Sequence, residues 1–346
     1  MRKFIRLGLA SLLATGIILA ALFFPTYRPL AVTGPYRIET TRQTYTDSRR
    51  SDPYSGSGTA RRVNVVFWYP QSGVIGKTFP LIIFSHGGLG TETSNESLYR
   101  ELASHGYVVC SIGHPSHALW TRGEDSLITF VNLGYFGELQ REDAKTDKRQ
   151  SLDYYRKWLA VRTGDINFVI NTIKAQASEG AGGVFEQIDP TRIGVMGHSL
   201  GGAAALAIPR QRDDVDSVIA LESPFLYDIV DVEDDRFIWL DVAYPVPVLN
   251  IYSDSSWPHL DEWPQYARNA DLLDNPSFNT TSLYIAGAGH FSLTDLSLAS
   301  PLLVRLLEGK SSSADPRATL QKINQACLEF FDRTLKNADF GTNFTK

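Results

Sequence analysis

The strongest constraint on the fold is a serine that lies between two glycines, where a strand pattern changes into a helix pattern. Apolar residues 193–196 are typical of a buried strand, and they lead into a G-x-S-x-G motif at 197–201. Small residues 203–207 then indicate the start of a helix. A serine at such a strained turn projects its hydroxyl, and the flanking glycines remove side chains that would collide there. The motif therefore predicts an α/β fold and makes Ser199 a candidate nucleophile.

A serine nucleophile requires donors that stabilise an oxyanion, and two backbone N–H groups are expected to supply them. A buried-strand pattern at 81–84 leads into His-Gly-Gly at 86–88, where bare glycine lets the backbone approach a substrate oxygen. Gly88 is the expected donor, with Leu89 as the neighbouring alternative. Leu200 supplies the second N–H from the start of a helix, whose dipole favours negative charge. The alternative interpretation of 86–88 is a glycine-rich turn without a ligand.

A serine nucleophile also requires a histidine as general base and an acid that orients the histidine. The histidine is expected after the last strand, because α/β folds with this serine motif carry the three residues in the chain order serine, acid, histidine. The chain has seven histidines, and among them His290 follows a late strand pattern at 282–286 through the glycine-containing loop 287–289. His114 and His117 raise the question of a metal site. No cysteine or clustered carboxylate accompanies them in the sequence, so a structural or pocket-rim role is favoured. The sequence therefore predicts neither a metal nor an organic cofactor.

Two carboxylates are candidates for the orienting acid. Glu222 ends the strand pattern 218–221, and Asp254 follows the strand pattern 248–252. Both lie at carboxyl ends of strands, where a parallel sheet places its functional groups. Asp is the commoner acid in such sites, while Glu also occurs.

These features together resemble the platelet-activating-factor acetylhydrolase-like group of α/β-hydrolases, which adjoins the dienelactone-hydrolase-like esterases. The resemblance implies the α/β-hydrolase fold, with a mostly parallel central sheet and helices on both faces. It also implies an Asp acid after the strand that follows the nucleophile, and this chain has Glu222 at that position. The resemblance therefore favours Glu222 as the acid, with Asp254 as the alternative. The matching segments are 33–36, 66–70, 83–87, 102–107, 197–202 and 289–290.

The resemblance implies a serine carboxylic-ester hydrolase that cleaves short-acyl esters, including those of phospholipids, through an acyl-enzyme intermediate. Its partner would be a small-molecule or lipid ester. A polyester or dienelactone hydrolase would use the same catalytic residues and differ in its pocket. A non-catalytic binding protein on this fold and an acyltransferase are further alternatives.

Length and charge limit the remaining possibilities. The 346 residues suffice for one large catalytic domain, predicted at 63–340 after an N-terminal extension at 31–62. The formal net charge of −5 argues against a nucleic-acid partner. Cys110 and Cys327 are the two cysteines of the chain, and their apolar patterns predict buried packing residues rather than a disulfide framework.

Residues 1–30 are predicted to be a signal peptide or signal-anchor. Arg2, Lys3 and Arg6 precede an uncharged run at 7–24, an order typical of such segments. The run would span about 27 Å as a helix, and could associate with a membrane. The catalytic domain would then be secreted or membrane-anchored outside the cytoplasm. The alternative is a hydrophobic N-terminal helix that packs into the core.

Two segments, 120–151 and 228–244, are predicted to be insertions between elements of the sheet. The first combines aromatic residues with a charged tail, and would form a lid, an acyl-binding wall or a surface excursion above the strand ends. Trp257, His259 and Trp263 are candidates for an amphipathic rim that meets a hydrophobic ester.

Overall fold

An eight-stranded sheet forms the centre of the fold. The computed structural model describes residues 16, 22–54, 58–71, 76–274, 279–309 and 313–337. The described strands are β1 (Ile38–Ser51), β2 (Ala60–Pro70), β3 (Phe79–Ser85), β4 (Val108–Ile112), β5 (Trp120–Arg122), β6 (Ile128–Phe130), β7 (Ile188–His198), β8 (Ser217–Leu221), β9 (Ile229–Glu233), β10 (Arg236–Trp239), β11 (Val248–Ser253) and β12 (Thr280–Ile285). The strand order of the sheet is β1-β2-β4-β3-β7-β8-β11-β12. β1 pairs with β2 and β2 with β4 in antiparallel fashion, and every other neighbouring pair is parallel.

Helices cover both faces of this sheet and bury its apolar side chains in two clusters. The described helices are α1 (Glu96–Ser104), α2 (Leu133–Arg141), α3 (Lys148–Ser178), α4 (Leu200–Ala207), α5 (Ala267–Asp274), α6 (Leu296–Ala299), α7 (Pro301–Glu308) and α8 (Pro316–Leu335). One cluster packs α3 and α4 against the sheet, and the other packs α1 and α8 against the opposite face. The mostly parallel sheet flanked by helices is therefore confirmed.

The long helices begin where a side chain satisfies their first N–H groups. The Asp147 carboxylate accepts from the N–H of Gln150 at 2.8 Å at the start of α3, and Asp315 accepts from the N–H of Ala318 at 2.8 Å at the start of α8. Proline at the first position of α8 has no N–H that would need a partner.

The segments predicted to flank or interrupt the sheet have structure of their own. The predicted extension, residues 31–62, contributes β1, so the central sheet includes residues before 63. The predicted insertion 120–151 contains the β5–β6 hairpin and α2, and 228–244 contains the β9–β10 hairpin.

The predicted N-terminal hydrophobic helix lies almost entirely outside the described residues. Its apolar run is 7–24, and the structure describes residues 16 and 22–24 of it. Within the described part of the chain, no helix is both long and apolar enough to cross a membrane. The signal peptide or anchor at 1–30 therefore stays a prediction.

Candidate active site

Ser199 lies at a sharp turn between β7 and α4. Its backbone has φ 53° and ψ −127°, and its N–H donates to the carbonyl oxygen of Leu221 at 2.8 Å. A Cβ on Gly197 would lie 2.4 Å from the carbonyl oxygen of Gly201, and a Cβ on Gly201 would lie 2.0 Å from that of Ser85. Both glycines are therefore required sterically. The conformation of Ser199 is one that non-glycine residues adopt only under constraint.

The loop of residues 86–90, here called the oxyanion loop, lies beside this turn. It follows β3, whose last residue Ser85 pairs with Gly197. A Cβ on Gly87 would lie 3.5 Å from the Cβ of Ser199. Gly88 is the next residue, and its N–H donates to no acceptor among the described residues. Leu200 opens α4, so its N–H has no partner within the helix.

His290 follows β12 and is brought against the turn by its backbone. Its carbonyl oxygen accepts a hydrogen bond from Nε2 of His198 at 2.9 Å, and the two rings lie 4.6 Å apart. Its N–H donates to Oγ of Ser255 at 2.9 Å. Burial lowers the pKa of the His290 imidazole to about 4, so the ring is neutral at neutral pH.

The imidazole does not complete a hydrogen-bonded triad in this conformation. Within the described part of the chain, the ring of His290 makes no hydrogen bond to Ser199, Glu222 or Asp254. The structure therefore brings the loop of His290 next to the turn of Ser199 and leaves the side chains unjoined.

Glu222 is a buried carboxylate directly after β8. Its side chain is almost fully buried, and Oε2 accepts from the N–H of Ser253 at 2.7 Å. Oε1 makes no well-formed hydrogen bond among the described residues, although the hydroxyls of Ser253 and Ser256 lie near the carboxyl and act to lower its pKa. Burial raises the pKa of this carboxyl to about 7, because an ionised carboxylate loses hydration there. Its φ of 54° adds a second strained residue to the site.

Asp254 instead binds the loop that carries His290. The hydroxyl of Tyr284 donates to Oδ1 at 2.5 Å, and the N–H of Gly287 donates to Oδ2 at 3.0 Å. The N–H of Asp254 donates to the carbonyl oxygen of Ala288 at 2.8 Å. Both oxygens of Asp254 are therefore engaged, while one oxygen of Glu222 is not.

A cavity of about 640 Å³ opens beside the oxyanion loop and His290. The described residues that line it do not include Ser199, Glu222 or Asp254. Leu119 and Leu303 contribute apolar walls, and Tyr27 and Asp295 contribute polar groups. Phe24, which ends the predicted apolar run, also lines it. The cavity residues nearest the turn of Ser199 are Gly87, Gly88, His198 and His290.

Trp257, His259 and Trp263 are not part of this cavity. The rings of His259 and Trp263 stack at 5.1 Å, and Trp257 stacks on Tyr284 at 5.0 Å. The rim predicted from these three residues therefore lies away from the cavity, in a separate aromatic cluster.

His114 and His117 serve in packing and hydrogen bonding. Nδ1 of His114 lies 3.0 Å from the Asp165 carboxylate, and its Nε2 lies 2.9 Å from Oγ of Ser85. The His117 ring stacks on Tyr135 at 3.9 Å. Among the residues that the structure describes, no group of three or more His, Cys, Asp or Glu side chains could hold a metal ion.

The sequence assigns no contact with the loops of the site to three side chains that make one, although Tyr135 lies among the aromatic residues of the predicted insertion 120–151. Arg162 and Tyr135 hydrogen-bond the oxyanion loop, and Glu308 accepts from the N–H groups of Phe291 and Ser292 beside His290. Arg162 had a sequence signal, because it lies four residues from both Trp158 and Ile166 on the buried stripe of α3. Tyr135 and Glu308 lie in no motif.

Comparison with known proteins identifies relatives along most of the chain. The platelet-activating factor acetylhydrolase, isoform II, family matches residues 68–150 and 161–344. The platelet-activating factor acetylhydrolase of Cavia porcellus is 23% identical over 295 residues, which are 76% of this chain and 60% of that protein. The Gallus gallus protein is 24% identical over 75% of this chain and 63% of its own length. The chain thus spans about three fifths of these curated relatives.

A further relative and a similar solved structure have other names. Cutinase 1 of Thermobifida cellulosilytica is 27% identical over 71% of this chain and 69% of its own length. The solved structure of a ferulic acid esterase from Streptomyces cinnamoneus superposes with a TM-score of 0.67 at 20% identity, and covers 91% of this chain and 95% of its own. That likeness supports the fold. The family match extends over more than half of the chain and confirms the resemblance found in the sequence. This chain belongs to the platelet-activating factor acetylhydrolase, isoform II, family.

Proposed function

We propose that this chain is a serine hydrolase of carboxylic esters. The observation that carries the proposal is the strained backbone of Ser199. This turn lies beside the oxyanion loop and beside the loop that carries His290. Strain of this kind persists where the surrounding structure enforces it, and it is common at active sites. The family membership and the esterase relatives support the same chemistry.

In this proposal Ser199 attacks the ester carbonyl while His290 takes the hydroxyl proton. The N–H groups of Gly88 and Leu200 stabilise the oxyanion of the tetrahedral intermediate. His290 then protonates the leaving alcohol, and water releases the acyl group from Ser199 by the same steps. The imidazole and the hydroxyl have to come within hydrogen-bond reach, a tightening that often accompanies substrate binding.

Glu222 is the proposed acid. Its unpartnered Oε1 is available to accept from the imidazole, whereas both oxygens of Asp254 are engaged. The imidazolium that forms during the reaction would lower the raised pKa of Glu222, because a nearby cation favours the ionised carboxyl. Burial would in turn strengthen their mutual attraction.

The proposed substrates are short-acyl esters with an apolar body, including phospholipid esters. The surface of the cavity is mainly apolar, although polar side chains are also present, and the cavity is large enough for a small ester or part of a lipid. The relatives named platelet-activating factor acetylhydrolase favour an acetyl or other short acyl group.

Hydrolysis of a polyester is the second candidate function. The cutinase relatives favour it, since Cutinase 1 matches over a larger share of its own length than the acetylhydrolases do. Both candidates share Ser199 and His290, so they differ only in substrate.

Labelling and a substrate panel would test the proposal on the full chain. A fluorophosphonate probe is expected to modify the wild type at Ser199 and to leave Ser199→Ala unmodified. The panel compares nitrophenyl esters from acetyl to decanoyl, a 2-acetyl phospholipid and a cutin-like polyester. A preference for acetyl and phospholipid esters supports the first candidate, and release of monomers from the polymer supports the second. A folded wild type that is unlabelled and inactive on every ester would refute both.

We further propose that residues 1–30 export or anchor the protein, which would place the catalytic domain outside the cytoplasm. The basic flank and the apolar run 7–24 support this proposal. Fractionation is expected to find the catalytic domain in the medium, or outside the cytoplasmic membrane where added protease cleaves it once any outer envelope is opened. A domain recovered only in the cytosol would contradict the proposal.

A further inference from the structure

We propose that Arg162 and Tyr135 are positioning residues that orient the oxyanion loop. The inference rests on the proposed function, since it assigns a role to side chains around the proposed oxyanion donors. Neither residue reaches the reacting atoms. They act through the backbone of residues 86–88, whose three consecutive carbonyl oxygens they bind.

Arg162 holds the first two of these carbonyl groups. Its guanidinium is fully buried, donates to the carbonyl oxygen of His86, and donates to that of Gly87 at 3.0 Å. Its Nε donates to Nδ1 of His117 at 3.3 Å. Burial lowers the pKa of Arg162. Burial of a guanidinium costs free energy of folding. Its hydrogen bonds to two peptide carbonyls of the oxyanion loop therefore indicate that it holds this loop in position.

Tyr135 holds the third carbonyl group. Its hydroxyl donates to the carbonyl oxygen of Gly88 at 2.8 Å. Its ring is fully buried and lies parallel to that of His117, with an interplanar angle of 7°. Asn132 caps α2 by accepting from the N–H of Tyr135 at 3.2 Å, which fixes the start of the helix. The hydroxyl of Tyr135 thus joins the insertion 120–151 to the oxyanion loop by a hydrogen bond.

Peptide geometry converts these carbonyl contacts into donor direction. The carbonyl of one residue and the N–H of the next belong to one planar trans unit and point in opposite directions. Arg162 therefore directs the N–H of Gly88 by holding the carbonyl of Gly87. That carbonyl also accepts from the N–H of Gly90 at 3.2 Å. Tyr135 holds the next peptide, whose N–H belongs to Leu89, the alternative donor, and it thereby restrains the backbone on the other side of Gly88. A cation on the carbonyl also polarises the peptide and strengthens its N–H as a donor.

Kinetics of the full-length variants Tyr135→Phe and Arg162→Lys would test the inference. Arg162→Lys keeps the charge and loses the planar fork, so we expect kcat to fall about 100-fold, while Tyr135→Phe lowers it about 10-fold. KM should change less than about twofold, because the donors act mainly on the oxyanion. Tyr155→Phe is the matched control, since its buried hydroxyl bonds Glu142 at 2.5 Å instead of the oxyanion loop.

Two inhibitors separate positioning from general damage. A trifluoromethyl ketone forms a tetrahedral adduct with an oxyanion, and its Ki should rise by the same factors as kcat falls. The analogue with a methylene in place of the carbonyl has no such oxygen, and its Ki should stay unchanged.

The outcomes distinguish this inference from the proposed function. If the wild type is labelled at Ser199 and Tyr135→Phe behaves like Tyr155→Phe, the inference is refuted and the proposed function stands. If both inhibitors weaken equally in Tyr135→Phe, the side chain is structural only, and the inference is also refuted. A wild type that is unlabelled and inactive on all esters refutes the proposed function and the inference with it.

Discussion

The two halves of the candidate site are built by different kinds of contact. In the half that holds Ser199 and the oxyanion loop, close backbone packing at Gly197 and Gly201 leaves little alternative to the observed turn. In the half that holds Glu222 and His290, the side chains come from loops after different strands, and no hydrogen bond joins them in the described structure. In the proposed mechanism the first is the nucleophile half, which is preformed, and the second is the acid–base half, which requires a further adjustment.

Burial sharpens this contrast, because it disfavours charge on both groups of the acid–base half. The pKa of His290 is lowered to about 4, and that of Glu222 is raised to about 7. At pH 7 the imidazole of His290 is therefore neutral when it is alone, and the carboxyl of Glu222 is only about half ionised. Contact between them would favour an imidazolium and a carboxylate together. Adjustment of the loop of His290 would thus complete the geometry and the electrostatics in one step.

The largest expected effect lies in the preformed half. We expect Ser199→Ala to lower kcat on the order of 10⁶-fold, because it removes the proposed nucleophile. Ser199→Gly should be equally inactive. Its free energy of unfolding in urea should exceed that of Ser199→Ala by about 1 kcal/mol, since glycine relieves the strain at φ 53°. A Ser199→Gly protein less stable than Ser199→Ala would show that this half is not strained.

The next effect identifies the acid. We expect Glu222→Gln to lower kcat about 10⁴-fold, as an amide cannot stabilise the imidazolium. Asp254→Asn should lose less than about 10-fold, because the amide oxygen can still accept from Gly287 and its NH₂ can donate to Tyr284. Steady-state kinetics on one ester would check both. The reverse order of effects would make Asp254 the acid.

The same contrast separates what the sequence predicted from what it did not. Ser199 and its glycines lie within five residues, so the steric requirement is readable from spacing alone. Strand β1 lies in the segment that the sequence assigns to an extension. It is an edge strand with many exposed residues, so it carries no apolar run that would mark it as part of the sheet. The contacts of Arg162 and Glu308 join residues distant in the sequence, and no local pattern encodes them.

The unpaired state of Glu222 predicts a pH effect on stability. Its pKa is raised from an ordinary value near 4.5 to about 7, so the folded state holds this proton more tightly than the unfolded state. Glu222 therefore lowers the free energy of unfolding progressively as pH rises from about 4.5 to 7, and the full loss persists above pH 7.

The free energy of unfolding of Glu222→Gln minus that of the wild type should rise by on the order of 3 kcal/mol across this window. Urea titrations at pH 4.5, 6 and 8 would measure it. A constant difference would mean that Glu222 is already paired with a cation, and the contrast between the halves would fail.

The smallest effects concern Gly88 and test how much room the preformed half leaves. A Cβ on Gly88 would lie 3.5 Å from the hydroxyl of Tyr135 and 3.6 Å from Leu139, which is ordinary contact. We therefore expect Gly88→Ala to keep kcat within about threefold, whereas the larger Gly88→Leu collides with both side chains and loses about 10² by displacing the N–H donor. Nitrophenyl ester kinetics would compare them. Because Tyr135 anchors the carbonyl of Gly88, a large loss already in Gly88→Ala would mean that the loop tolerates no shift, and an unaffected Gly88→Leu would mean that the donor lies elsewhere, with Leu89 as the alternative.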